Sequence, residues 1–382
     1  MSYDTLLNIA LVIFFIGVIY KFLAWFFKYI GTSDRSTSIA RRVFSGIEGL
    51  LLSIFSLKIF SILKVFILDV LLQLRILSDK KDRSVWIMHI LIFIGFIALL
   101  ILHTFKLPAS FSSDYYSTTN PLMFLRNLFG LMVLVGLALA ILRRAVWMKN
   151  RVKTGGMDIY AIIVIAVIMI SGFLLEGIKI TSHNDFVRMI DEYAPDMDDN
   201  EMKALEVYWV KKYSVVSPDI TDEKVISPQL IAKGEAVHQG SCLQCHDRPQ
   251  SAFLSYSIAQ LIKPVSVSLV SSGIRTAMWY IHILACFIAL AYLPFSKLYH
   301  AISTPISLFV AEVAGSKQDA ADSAIRQVIE LDGCSHGGVC HDECPVRKRR
   351  QERISSMTRF GAYFDYIDEK SSLELGSREV KG

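Results

Sequence analysis

Long apolar runs separated by short charged stretches dominate the chain. Five runs reach the roughly 20 residues that a helix needs to cross a bilayer: Leu6–Phe27, Trp86–Phe105, Leu122–Ile141, Ile159–Ile178 and Thr276–Leu298. The stretch from Ala40 to Ile76 is different. It is apolar, but Arg41, Arg42, Glu48, Lys58, Lys64, Asp69 and Arg75 interrupt it. That pattern predicts an amphipathic helix lying in the membrane surface over about residues 40–77, with a sixth span as the competing reading. The segment 181–272 is mixed and polar, and long enough for a small helical domain. The predicted fold is therefore all-α and integral to a membrane, a five-span helical bundle. Residues 1–180 carry spans one to four and the surface helix. Residues 181–272 form a domain outside the bundle, 273–300 the fifth span, and 301–382 a charged tail.

Composition agrees with this pattern: 53% of the 382 residues are hydrophobic, more than a soluble domain of that size carries. The net charge of +5 does not point to nucleic acid, and no such partner is expected. In a membrane protein the placement of Lys and Arg matters more than their sum. Basic residues crowd Lys28–Arg83, the turn holding Arg143, Arg144, Lys149, Arg151 and Lys153, and the tail with Arg347, Lys348, Arg349 and Arg350. The loop Lys106–Pro121 has almost none. All three basic regions share one side only if the N-terminus is outside and the C-terminus is cytoplasmic. The expected setting is a bacterial inner membrane, with residues 181–272 in the periplasm. The run from Leu6 has no basic region before it and no small-residue cleavage site after it, so it is expected to remain as a span.

The external segment contains Cys242-Leu243-Gln244-Cys245-His246. CxxCH is the c-type haem attachment pattern: two thiols bond the haem vinyl groups and the adjacent His binds iron. A zinc half-site would want two more ligands nearby, and a redox dithiol would want a βαβ setting. Candidates for the sixth iron ligand are His183, His238, Met189, Met197 and Met202.

Ionisable residues inside spans point to function. His89 and His103 share the second span, 14 residues apart, on nearly one helix face and roughly 21 Å apart along the axis. His282 and His300 share the fifth span, 18 residues apart, which is five whole turns and so again one face, roughly 27 Å apart along the axis. With the two spans antiparallel, His103 and His282 stand near the external side and His89 and His300 near the cytoplasmic side. Two facing imidazole pairs at two depths are what two stacked b-type haems need. Cys286, in the fifth span, reads as a small packing residue.

Five spans, an outside N-terminus and the His pairs resemble the gamma (cytochrome b) subunit of respiratory nitrate reductase. The 18-residue spacing matches that family. The 14-residue spacing is longer than in nitrate reductase itself, and the basic surface helix instead resembles the membrane subunits found with heterodisulfide-reductase-like iron–sulfur proteins, those of the sulfite-reductase-associated complex and the transmembrane redox complex of sulfate reducers. The resemblance covers roughly residues 1–180 and 273–305; the CxxCH loop and the cysteine-bearing tail depart from it. It implies exchange of electrons with a quinone pool, here menaquinone. Arg126 and Asn127 at the start of span three, and Glu176 and Lys179 at the end of span four, are the polar groups at the depth for quinone binding; interfacial anchoring or haem propionate contacts are the alternatives.

In the tail, Cys334, Cys340, Cys344 and Pro345 match a ferredoxin-type cluster motif whose second cysteine is replaced by Gly337. The tail can hold a three-iron cluster, a four-iron cluster with a foreign ligand such as His336, zinc through His336 or His341, or no metal. The expected function is that of an electron-transfer subunit in a hetero-oligomeric complex, with one haem c and two haems b. Electrons would pass between a periplasmic cytochrome c or the quinone pool and a cytoplasmic iron–sulfur partner. Such a subunit makes and breaks no substrate bonds and has no catalytic residue. The rival reading is a haem-containing membrane anchor or sensor that docks a partner without quinone chemistry.

Overall fold

The computed structural model describes residues 3–27, 38–77, 83–104, 118–147, 155–220 and 226–314, together with Ile325, Arg326, Val328, Ile329 and Asp332. The tail residues Cys334, His336, Cys340, His341 and Cys344 lie outside the described residues. So do Lys149, Arg151 and Lys153, the arginine-rich run of the tail and most of the loop Lys106–Pro121.

The fold is all-α, with no strand among the described residues. Five helices are long and apolar enough to cross a membrane: α1 (Tyr3–Phe27), α5 (Arg83–Thr104), α6 (Leu122–Leu142, prolonged by a π-turn to Trp147), α7 (Gly156–Thr181) and α13 (Ile274–Tyr292, prolonged to Phe295). The chain is a multi-pass membrane protein. Large apolar side chains such as Phe15, Ile16 and Ile19 on α1 and Ile163 and Ile170 on α7 point outward, as lipid-facing positions do.

The stretch expected as one surface helix is divided. α2 (Ile39–Ile54) starts at Ser38, whose hydroxyl accepts from the Arg41 amide at 3.3 Å. It ends before Ser56, whose hydroxyl accepts from the Lys58 amide at 3.3 Å. That local bond offers the backbone an alternative to the helix. α3 (Lys58–Val65) runs into a π-turn over Phe66–Leu71, and α4 (Leu74–Leu77) follows Gln73, which adopts φ +54°.

The described residues form two compact units. The first comprises residues 1–86, 144–161 and 290–382. Within it, an added Cβ at Gly17 of α1 would meet Pro294 and Phe295 at 2.8 Å, so glycine permits that close approach. The Trp25 indole packs with Tyr299, Ile325, Val328 and Ile329, and its N–H donates to Asp332 at 2.9 Å. Lys21 pairs with the same carboxylate at 3.0 Å. The Asp158 carboxylate accepts from Lys297 Nζ at 3.0 and 3.1 Å and from Arg144 at 3.5 Å.

The fifth span corrects one expectation. Its helix does not run on to His300. It tightens to a 3₁₀ turn at Leu293–Phe295, becomes extended at Ser296 (φ −112°, ψ 173°), and restarts as α14 (His300–Ala314) after a second 3₁₀ turn. Pro294 is the physical cause: it has no N–H to give the helix and its ring crowds the carbonyl four residues back. The shared face calculated for His282 and His300 therefore does not apply.

The second unit comprises residues 87–143 and 162–289. Here α5 and α6 approach closely at Gly95 and Gly136, where an added Cβ would come within 2.7 Å of the facing helix. Small residues let membrane helices gain contact in this way. Val133, Met169 and Phe173 form a buried cluster between α6 and α7. The remaining helices of this unit are α8 (His183–Tyr193), α9 (Asp199–Lys212), α10 (Pro228–Ser241), α11 (Phe253–Ile262) and α12 (Ser266–Ser271).

Candidate functional site

The CxxCH segment belongs to a small helical domain in the second unit. Side-chain caps set its helices: Ser182 accepts from the Asp185 amide at 3.1 Å, Asp198 from Glu201 at 2.8 Å and Ser227 from Leu230 at 3.2 Å. Each satisfies an amide that a helix start leaves orphaned. α9 and α10 pack so tightly at Gly234 that a Cβ there would overlap the Ala204 carbonyl. Phe186, Ile190, Leu205, Tyr208 and Trp209 form the core, and Cys242 is part of it.

The motif follows α10 directly and folds into a turn. The Cys245 and His246 amides donate to the Cys242 carbonyl at 3.0 and 2.9 Å. The turn is held to the residues before α6: Thr118 donates to the Cys245 carbonyl, the Asp247 amide donates to the Thr118 carbonyl at 3.1 Å, and the Asn120 amide donates to the Asp247 carboxylate at 2.6 Å. Both motif thiols are free, with Cys242 buried and Cys245 half-buried. Burial, with a smaller effect of Cys245, pushes the Cys242 thiol up to about 11. A thiol held protonated at neutral pH does not suit a reactive dithiol. Burial, and secondarily His238, keeps His246 below the usual imidazole range, so its ring is neutral and able to act as a ligand. A recess of about 400 Å³ opens beside the motif, lined by Tyr208, Tyr213, His238, Leu243 and Arg248 among others. Two thiols and a neutral imidazole on one turn are the donor set of a covalently attached haem; none of the three lines the recess.

His238 has a different task from the one considered for it. Its ring is 2% exposed and both nitrogens are engaged: Trp209 Nε1–H donates to Nδ1 at 3.3 Å, and Nε2 lies 2.7 Å from the Tyr213 hydroxyl. An indole N–H can only donate, so Nδ1 is the acceptor and the neutral ring carries its proton on Nε2. Nε2–H then donates to the Tyr213 oxygen, and the Tyr213 proton is directed at the His246 carbonyl, 3.4 Å away. Desolvation lowers the His238 pKa and raises that of Tyr213, which keeps both neutral. Trp209 stacks on Tyr213 at 4.6 Å and meets the His246 ring edge-on at 5.4 Å. His183 is also engaged, with Nε2 2.7 Å from Glu206. Met189, Met197 and Met202 pack on the core that contains Cys242.

Three of the four span-associated histidines share one arrangement. His103 Nδ1 lies 2.8 Å from the Leu99 carbonyl, His282 Nδ1 3.1 Å from the Ile168 carbonyl, and His300 Nδ1 2.6 Å from the Lys297 carbonyl. A carbonyl only accepts, so Nδ1 bears the proton and Nε2 carries the lone pair. That is how a metal-binding imidazole is normally oriented. His282 also contacts Ser171 Oγ at 3.1 Å, and Cys286 Sγ is 3.9 Å from its Nε2. Gly172 makes room for the ring: a Cβ there would stand 3.1 Å from Cε1. His103 and His282 belong to the same unit and are near enough for a charge on one to act on the other. Their donor chemistry fits a bis-imidazole haem. His89 belongs to the second unit and His300 to the first.

Arg126, Asn127 and Glu176 are brought together as one half-buried network around the buried Asn127. Arg126 pairs with Glu176, which also accepts from Asn127 at 3.2 Å and from the Ser255 hydroxyl at 2.6 Å. Asn127 Oδ1 accepts from the Leu254 and Ser255 amides at 3.1 and 3.0 Å. The network seats the first turn of α11 on α6 and α7. Lys179 lies within electrostatic range of Asp185, Arg275 and Glu176. Sequence reading missed Ser171, Gly172, Trp209 and Tyr213. The aromatic spacing of Trp209 and Tyr213 was the one visible signal; nothing in the sequence marked the other two.

No family model matches the chain, and no solved structure matches it. Part of it is similar to a subunit of the dihydromethanophenazine:CoB–CoM heterodisulfide reductase of Methanosarcina thermophila, 36% identical over 126 residues, 31% of this chain and 47% of the relative. The protein of the same name from Methanosarcina barkeri is 33% identical over 134 residues, 31% of this chain and 48% of the relative. The chain thus spans about half the length of these curated relatives.

Proposed function

We propose that this chain is the membrane electron-carrying subunit of a hetero-oligomeric redox complex, with its N-terminus outside and its C-terminus in the cytoplasm of a bacterial inner membrane. The observation that carries the reading is the shared orientation of His103 and His282: each gives its Nδ1 proton to a main-chain carbonyl and keeps Nε2 for iron. The partial relatives support it, because their name is that of one component of a reductase joining dihydromethanophenazine to a heterodisulfide. By analogy, this chain would link a small carrier such as menaquinone, or a periplasmic cytochrome c, to a cytoplasmic iron–sulfur partner.

In this reading His103 and His282 hold an external haem b, Cys242, Cys245 and His246 a haem c, and a second haem b is the expectation that the sequence places on His89 and His300. Bound haem supplies one-electron redox chemistry. The chain holds the ligating nitrogens in one tautomer and seats the His282 imidazole against α7 at Ile168 and Gly172. Arg126 and Glu176 lie within electrostatic range of His103 and hold α11 in place; in this reading quinone contact is secondary for them.

The test is pyridine haemochrome analysis of the purified protein, with expected haem b and haem c in a two-to-one ratio. His282→Ala should lose one haem b and keep the covalent haem stain on a denaturing gel. Unchanged haem b content in that variant refutes the pairing.

A further inference from the structure

Three side chains from separate segments of the external domain converge. His183 opens α8, Glu206 lies midway along α9, and Asp219 stands in the loop after Tyr213. One imidazole nitrogen and two carboxylate oxygens all lie within 4.8 Å of one another. Of the three only His183 was a candidate haem ligand, and its Nε2 is turned to Glu206 instead.

We propose that His183, Glu206 and Asp219 bind a divalent transition-metal ion, zinc being the best match, and that the ion fastens the loop 213–220 to α8 and α9. The backbone is already set for it. The Val216 amide donates to the Thr181 carbonyl at 3.0 Å, which brings the loop alongside the start of α8. Ser217 Oγ accepts from the Asp219 and Ile220 amides at 3.0 and 3.3 Å, which fixes the turn carrying the third ligand.

The donor set selects the ion. A neutral imidazole with two carboxylates carries a charge of about −2, which a divalent cation cancels. An imidazole nitrogen disfavours magnesium and calcium, which take oxygen ligands, and favours zinc and its neighbours. Zinc sits about 2.0–2.2 Å from such atoms, which places tetrahedral ligands roughly 3.4 Å apart. His183 Nε2 and Glu206 Oε1, now hydrogen-bonded at 2.7 Å, would open by about 0.7 Å to admit it, the neutral ring's single proton moving from Nε2 to Nδ1 so that Nε2 offers its lone pair. The third ligand closes from no more than 4.8 Å. Both movements are within side-chain rotation. The His183 and Glu206 side chains are only 18% and 12% exposed, while Asp219 is exposed. The ion would enter from the Asp219 side and keep water as its fourth ligand.

The experiment uses the full-length protein in detergent, stripped with a chelator and titrated with zinc alone. Bound zinc is counted by equilibrium dialysis with elemental analysis, and haem is measured on the same samples. The expected result is one zinc equivalent that Asp219→Asn and His183→Ala weaken at least about tenfold, with haem content unchanged. Zinc should also slow amide exchange in residues 213–220 of the unsubstituted protein and not in Asp219→Asn, a substitution of an exposed side chain that spares the core. Zinc binding equal in the unsubstituted protein and Asp219→Asn, or no bound zinc, overturns the proposal and leaves His183 and Glu206 as a plain hydrogen-bonded pair. The haem measurement keeps that failure separate from a failure of the haem reading.

Discussion

Tyr213→Phe isolates one oxygen at the centre of the CxxCH support. The hydroxyl accepts from His238 Nε2–H at 2.7 Å and reaches the His246 carbonyl at 3.4 Å. The longer contact is weak by geometry, so the shorter one sets the magnitude. His238 is 2% exposed, and without the hydroxyl its Nε2–H faces an apolar ring and no water. An orphaned buried donor costs about 1–3 kcal/mol. At about 1.4 kcal/mol per tenfold, local opening of α10 and the motif should become roughly 5- to 150-fold more frequent. Hydrogen exchange followed by mass spectrometry on the full-length protein reads this directly, as faster exchange in peptides covering 228–246. Tyr193→Phe is the control, because Tyr193 is 74% exposed. If both variants exchange alike, the His238–Tyr213 bond does not hold the motif and the tautomer assignment falls with it.

Gly172→Ala places a methyl group 3.1 Å from His282 Cε1 and should shift the absorption band and potential of the external haem b without changing haem c content; unaltered haem b spectra count against the site. Asp158→Asn leaves Lys297 and Arg144 without their shared carboxylate. With Lys297 29% exposed, the loss after discounting for solvent is roughly 1–3 kcal/mol, seen as a lower thermal midpoint in detergent. The external domain should also weaken in mild acid. Burial depresses the folded-state pKa of His238 below its usual 6.5, so the unfolded chain binds more protons as pH falls from about 6.5 towards the folded value. Stability is therefore present above 6.5 and lost below it. Exchange in residues 228–246 compared at pH 7.5 and 5.5, corrected for intrinsic rates, checks the sign, and His238→Gln should flatten the difference.

The spans were legible because an apolar run of 20 residues needs no partner to declare itself. Every backbone group is satisfied inside the helix, and lipid accepts any apolar face. The interruption before His300 was harder to see, although Pro294 stood in plain view. Leu293 and Phe295 keep the hydropathy high, and an apolar average does not register a missing N–H. The surface segment failed to read as several pieces for the opposite reason. Its break rests on Ser56, whose hydroxyl competes for one amide, a contest that periodicity cannot decide.

The site was legible by residue type and hidden in its acceptors. His103, His282 and His300 were recognisable by position, yet what prepares each is a main-chain carbonyl, and a carbonyl has no letter in the sequence. Two of the acceptors are local: Leu99 lies four residues before His103, and Lys297 three before His300. Those imidazoles can be oriented by their own helix ends. His282 is different, because its acceptor, Ile168, belongs to α7 and Gly172 of the same helix clears its space. The external site thus depends on how α7 and α13 pack, and the internal histidine His300 depends on the turn that Pro294 starts. The proline that broke the expected shared face is what allows the Lys297 carbonyl to face His300. A continuous helix would have placed both residues three apart on a regular spiral, with that carbonyl directed along the axis to the amide one turn on. The interruption therefore replaces a ligand set by helix phase with one set by a local bond.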